Sequence, residues 1–169
     1  MWKNILIIFL ALVLESFFLS AHFGGIYFGV ILSLVCLLLG AKKSFLLVLV
    51  LASGIFQDLS GDFLGLFTIG YLLAFLVGSL ALDNFWSDVR LLKLCFSVIV
   101  AVLVFNLWNI LWVSFSAGGV SAFWGLFLSF AWWVSLGKEV LVGVIWAGII
   151  FPVGSYFFKQ VDTQQRLRL

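Results

Sequence analysis

Asp58 and Asp62 are the side chains whose type and spacing most invite chemistry. They stand four residues apart in Gly54-Ile-Phe-Gln-Asp58-Leu-Ser-Gly61-Asp62-Phe-Leu-Gly65, a run of acids and glycines between two apolar segments. On a continuous helix both carboxylates would share a face, where they would offer a polar contact to a partner or a site for a cation. Carboxylates in or near a membrane are costly and mark function by default. The competing reading is a turn between two helices, with Asp and Gly as caps and turn formers and Asp62 as the N-cap of a helix starting at Phe63. Gly54, Gly61 and Gly65 would also let helices approach closely. These five residues, Gly54, Asp58, Gly61, Asp62 and Gly65, are the candidate partner-binding or structural motif.

A second set could build a buried polar pocket. Glu15 and His22 stand seven residues apart in an apolar run and share a helix face. A charge near the middle of such a helix must face the bundle interior and find a partner, or take up a proton. Asn106 and Asn109 form another polar stripe three residues apart. All four could line a ligand pocket, or serve as hydrogen-bonding groups between helices. Lys138-Glu139 reads as a helix boundary with an adjacent ion pair. The chain holds no HExxH, no GxSxG, no Cys/His pair and no Walker loop. No catalytic residue, cofactor or metal is therefore expected. Cys36 and Cys95 fall in or beside apolar segments, where they suit packing.

These residues sit in a chain of 169 residues that is 65% hydrophobic and 9% charged, with a mean hydropathy of +1.31. Soluble domains carry about 25% charged residues, so the composition describes an integral membrane protein. The apolar runs do not alternate with polar residues as barrel strands do, and the expected fold class is an all-α integral membrane protein. The net charge of +2 gives no sign of a nucleic-acid partner. Met1-Trp2-Lys3 and the apolar run after it imitate a signal peptide, but Glu15 interrupts the run, and an uncleaved first span is expected.

The apolar segments fall at 4–22, 25–41, 44–57, 63–82, 92–115, 120–136 and 139–158. If all but 120–136 cross the membrane from a cytoplasmic N-terminus, eight of the nine Lys and Arg residues lie inside and only Lys138 lies outside. A seventh span reduces the split to six against three. The positive-inside rule therefore favours about six transmembrane helices in a single polytopic domain over 1–169, with both termini cytoplasmic. Segment 120–136 then reads as an interfacial or re-entrant helix. Phe123, Phe127, Phe130 and Val134 would share one face, and Trp124, Trp132 and Trp133 would lie at headgroup depth. The segment 44–57 would reach only about 21 Å, ending below the outer surface with an irregular link around Gly61.

The order Gly54-x-x-x-Asp58-Leu, Ser60-Gly61, Leu64-Gly65 between the third and fourth spans resembles the rod shape-determining protein MreD family. The last apolar segment, with Val144-Ile145-Trp146 and Pro152 before a basic tail, is similar to that family's final helix. The architecture matches over most of the chain, while the specific motif covers only 54–65. Asp58 and Gly61 stand one residue closer than is common there, Ala147 replaces a frequent proline, and 116–138 is more apolar.

The resemblance implies a non-catalytic membrane adaptor of the bacterial elongation (rod) complex in the cytoplasmic (inner) membrane. It implies binding to the scaffold MreC and, through it, to an actin-like filament protein, a class B penicillin-binding transpeptidase and a SEDS glycan polymerase, with membrane lipid around it. It also implies a fold similar to the substrate-binding subunits of energy-coupling-factor transporters. Such an importer subunit is the alternative function, with Glu15, His22, Asn106 and Asn109 lining its pocket. Against it, Ala11 is followed four residues later by Glu15 rather than by a second small residue.

Overall fold

The computed structural model describes residues 28–60, 65–117 and 119–166. Among them the chain is helical: α1 Phe28–Leu38, α2 Lys43–Ser60, α3 Leu66–Asn84, α4 Arg90–Ala117, α5 Val120–Phe127 and α6 Phe130–Arg166. Three are long and apolar enough to cross a membrane, over Leu66–Asn84, Arg90–Ser116 and Phe130–Tyr156. That is the signature of a helical membrane protein. The expected span 4–22 lies outside the described residues.

The connections follow from local chemistry. At the end of α1, Gly40 adopts φ +94. The Gly40 N–H donates to Leu37 O at 3.0 Å and the Ala41 N–H to Cys36 O at 2.9 Å. This is the Schellman closure that a glycine beyond a helix end permits. Between α3 and α4 the Val89 N–H donates to Ser87 Oγ at 3.2 Å, and Arg90 then opens α4.

α4 is the central helix. Its Leu94, Val98, Ala101, Val102 and Phe105 recur at helical spacing and are all buried. They meet Ile31, Leu34 and Val35 of α1, Tyr71, Ala74 and Phe75 of α3, and Leu136 and Ala147 of α6 in one core cluster. α3 and α4 run antiparallel. Ser97 Oγ donates to Gly78 O near one end, and Trp108 Nε1 donates to Leu66 O at 3.0 Å near the other. An exposed ion pair, Lys43 Nζ to Asp83 Oδ2 at 2.8 Å, ties the start of α2 to the end of α3. Lys42, Lys43, Arg90 and Lys93 therefore gather at one end of the bundle.

Two sequence expectations change here. The helix expected to stop at residue 57 continues to Ser60, so Asp58 lies in its last turn instead of in an irregular link. A carboxylate with good partners can sit in a buried helix end, and Asp58 has them. Segment 120–136 is not one helix. The chain breaks at Leu128 and Ser129, and Ser129 caps α6 by accepting the Trp132 N–H on its Oγ at 3.2 Å. Phe123 and Phe127 thus belong to α5, while Phe130 and Val134 belong to α6. The last helix begins nine residues before the expected residue 139.

Candidate functional site

Asp58 is buried, with 4% of its surface exposed. Its Oδ1 accepts the Phe67 N–H at 2.8 Å. Its Oδ2 accepts the Thr68 N–H at 3.1 Å and the Thr68 hydroxyl. The first amides of a helix have no partner within the helix, and they carry the positive end of its dipole. Asp58 of α2 therefore caps α3 across the helix–helix contact, with charge-assisted bonds to the second and third residues of α3.

Gly54 stands one turn earlier on the same face of α2. A Cβ there would lie 2.6 Å from Thr68 Cα and 3.0 Å from Thr68 N. No side chain fits, and its absence lets α2 lie against the backbone that Asp58 holds. The Gly54-x-x-x-Asp58 spacing thus serves one contact: glycine admits the start of α3, and aspartate fastens it.

α4 holds that start from the other side. Besides the Trp108 bond to Leu66 O, a Cβ at Gly70 would come within 2.8 Å of Phe105 and Trp108 ring carbons. Phe67 stacks on Phe105 with ring centroids 6.1 Å apart. The first turns of α3 are gripped by α2 and α4 together.

Gly65 precedes α3 at φ +89 and supplies no side-chain cap. The helix expected from Phe63 is observed from Leu66, and Asp58 of α2 caps it. Gly61 and Asp62 lie outside the described residues, and with them the expected N-cap at Asp62 and its shared face with Asp58.

The second candidate set is divided. Glu15 and His22 lie outside the described residues. Asn106 is buried; its Nδ2 donates to Val102 O at 3.0 Å and to Glu139 Oε2 at 2.8 Å. Asn109 is half-buried and makes no hydrogen bond to a described residue. Glu139 was expected at a helix boundary beside Lys138. It lies instead well inside α6 and turns toward α4, whereas Lys138 points to the exposed side. Glu139, Thr68 and Trp108 are the residues that sequence reasoning missed. Only Glu139 carried a signal, as an acid within an apolar segment with a buried Asn in need of a partner.

Two further features complete the polar inventory. Ser53 Oγ, next to Gly54, is buried without a hydrogen-bond partner among the described residues. At the basic end a cavity of about 320 Å³ opens between Ala81, Asn84, Phe85, Trp86 and Phe96, with Trp86 fully exposed. Among the described residues no group of three His, Cys, Asp or Glu side chains comes together. No family model matches this chain, and neither a curated protein nor a solved structure matches it.

Proposed function

We propose that this chain is a non-catalytic membrane adaptor of the bacterial elongation complex, of the kind the MreD family provides, seated in the cytoplasmic membrane with both termini inside. The observation that carries the reading is the Gly54–Asp58 contact with Phe67 and Thr68. It gives Gly54 and Asp58 of the resembling motif one shared task. The clamp fixes the start of α3 at the end of the bundle opposite the basic cluster, which is the outer end by the positive-inside rule. A partner's single membrane helix, such as that of a periplasmic scaffold, would then meet a rigid surface at low cost in ordering. Asp58 acts on this partner indirectly, by holding the backbone, because its oxygens are already taken within the chain.

The test is a pull-down of the tagged protein from gently solubilised native membranes. Recovery of a coiled-coil periplasmic scaffold with cell-wall synthases is the expected result. Recovery of an ATPase pair with a membrane coupling subunit would replace the adaptor with an importer subunit. One observation favours that second reading, the Asn106–Glu139 contact between two candidate spans. A vitamin that raised the melting temperature of the purified protein, with the gain lost in Glu139→Gln, would support it.

A further inference from the structure

α3 and α4 are matched in level by the Ser97–Gly78 and Trp108–Leu66 contacts. The 19 residues of α3 span about 28 Å, close to a hydrocarbon core of about 30 Å. α4 does not stop at that level. Residues 109–117 carry it about 13 Å further. The Gly119 N–H, at φ +80, then reaches back to Ser114 O at 2.7 Å, and the chain turns into α5.

α5 buries none of its residues, and α6 sets out from the same level. The end of α4, all of α5 and the first turns of α6 thus form a crown beyond the clamp. From Leu94 to Gly137 the sequence contains no charged residue. The crown exposes Phe115 at 86%, Phe130 at 82%, Val120 at 74% and Leu128 at 72%, with Trp124 at 53% and Trp133 at 48%. Water is a poor solvent for such a surface, since patches of this kind mark interaction sites. Its aromatic rings are also locked together: Phe127 contacts Phe123, Trp132 and Trp133 at centroid distances of 5.8, 5.4 and 5.6 Å. A crown held in shape by its own rings is preorganised for one environment.

We propose that phospholipid covers this crown. It lies in the headgroup layer of the leaflet opposite Lys42, Lys43, Arg90 and Lys93, with the two exposed indoles, Leu128 and Phe130 at headgroup depth. Three features favour lipid over a protein partner. The crown is continuous with two candidate spans, it presents no charge to pair with a partner, and it pairs Trp with aliphatic side chains as interfacial helices do. It works as an in-plane float that sets the depth of the clamp beneath it.

The test uses the full chain in vesicles of phosphatidylcholine and phosphatidylglycerol. With Cys36→Ala and Cys95→Ala in place, Leu128→Cys and Phe130→Cys are each labelled with an environment-sensitive fluorophore. Ile145→Cys, on the exposed face of the α6 span, is the lipid-buried reference. The expected result is loss of fluorescence with shallow nitroxide lipids at both crown positions, a smaller loss with deep ones, and only partial loss with aqueous cobalt(II). Quenching by cobalt(II) without quenching by nitroxide lipid would place the crown in water and overturn the proposal. Protection from both quenchers would mean that a second copy of the chain covers it, which also overturns the proposal. The two labelled positions guard against one variant failing to fold.

Discussion

The oxygens of Asp58 hold two backbone amides and a hydroxyl in a buried setting. Asp58→Ala leaves both amides without their acceptor and should cost about 3 kcal/mol. Asp58→Asn keeps one acceptor oxygen but loses the charge, and should cost about half as much, roughly 1.5 kcal/mol. Thermal unfolding of the purified proteins in detergent should rank them wild type, Asn, Ala. Equal melting temperatures would mean that the cap carries no stability. Gly54→Ala separates two opposed effects. Alanine is the better helix former by about 1 kcal/mol, yet its Cβ would meet the Thr68 backbone at 2.6 Å, an overlap that typically costs about 1–3 kcal/mol. The overlap should win, because the obstruction is backbone and cannot rotate away. A rise in melting temperature would show that α2 and α3 stand further apart than described. Ser53→Ala, one residue earlier, should leave stability unchanged or slightly raised, since it removes a buried hydroxyl without a partner among the described residues. A clear loss would reveal a bond to Ser53 that a bound molecule supplies.

At the scale of elements, hydrophobic runs were enough to find α3 and α4, whose observed ends fall within a few residues of the expected 63–82 and 92–115. Runs of this kind need only their own periodicity to declare themselves. The end of α2 was illegible for the opposite reason. Gln-Asp-Leu-Ser-Gly reads as a turn to any local rule, and only the α3 amides nine and ten residues away make a buried helical Asp58 stable. The break in 120–136 was hidden because the apolar spacing runs unbroken across Leu128 and Ser129. The Ser129 cap shows itself only once the α5 and α6 aromatics are seen to pack on each other. This gives the joint a test. Ser129→Ala removes the acceptor of the Trp132 N–H and should cost about 1 kcal/mol. The loss should appear as faster hydrogen exchange in the first turn of α6, with the amides of α3 unaffected. Uniform acceleration across the chain would mean that the cap supports the whole bundle and not the joint alone.

Over the whole molecule, the direction of each helix can be followed from its contacts. α4 leaves the basic end at Arg90 and reaches the far end near Trp108, which meets the start of α3. α6 then starts at that far end and returns. Glu139 is level with Asn106, a Cβ at Gly143 would touch Val98, and one at Gly154 would touch Leu39, beside the α1–α2 turn. The eight residues of α5, about 12 Å long, are too short to cross. The end of the α6 span therefore comes back to the side of Lys42, Lys43, Arg90 and Lys93. Positive charge is retained on the cytoplasmic side of a membrane, so the tail after α6 should be cytoplasmic. In the background of Cys36→Ala and Cys95→Ala, a Leu169→Cys variant should react with a membrane-impermeant maleimide only after the cells are permeabilised. If position 169 reacted in intact cells, either the whole bundle would be inverted in the membrane, against the positive-inside rule, or α5 and the start of α6 would cross the bilayer and break the shared level of Asn106 and Glu139.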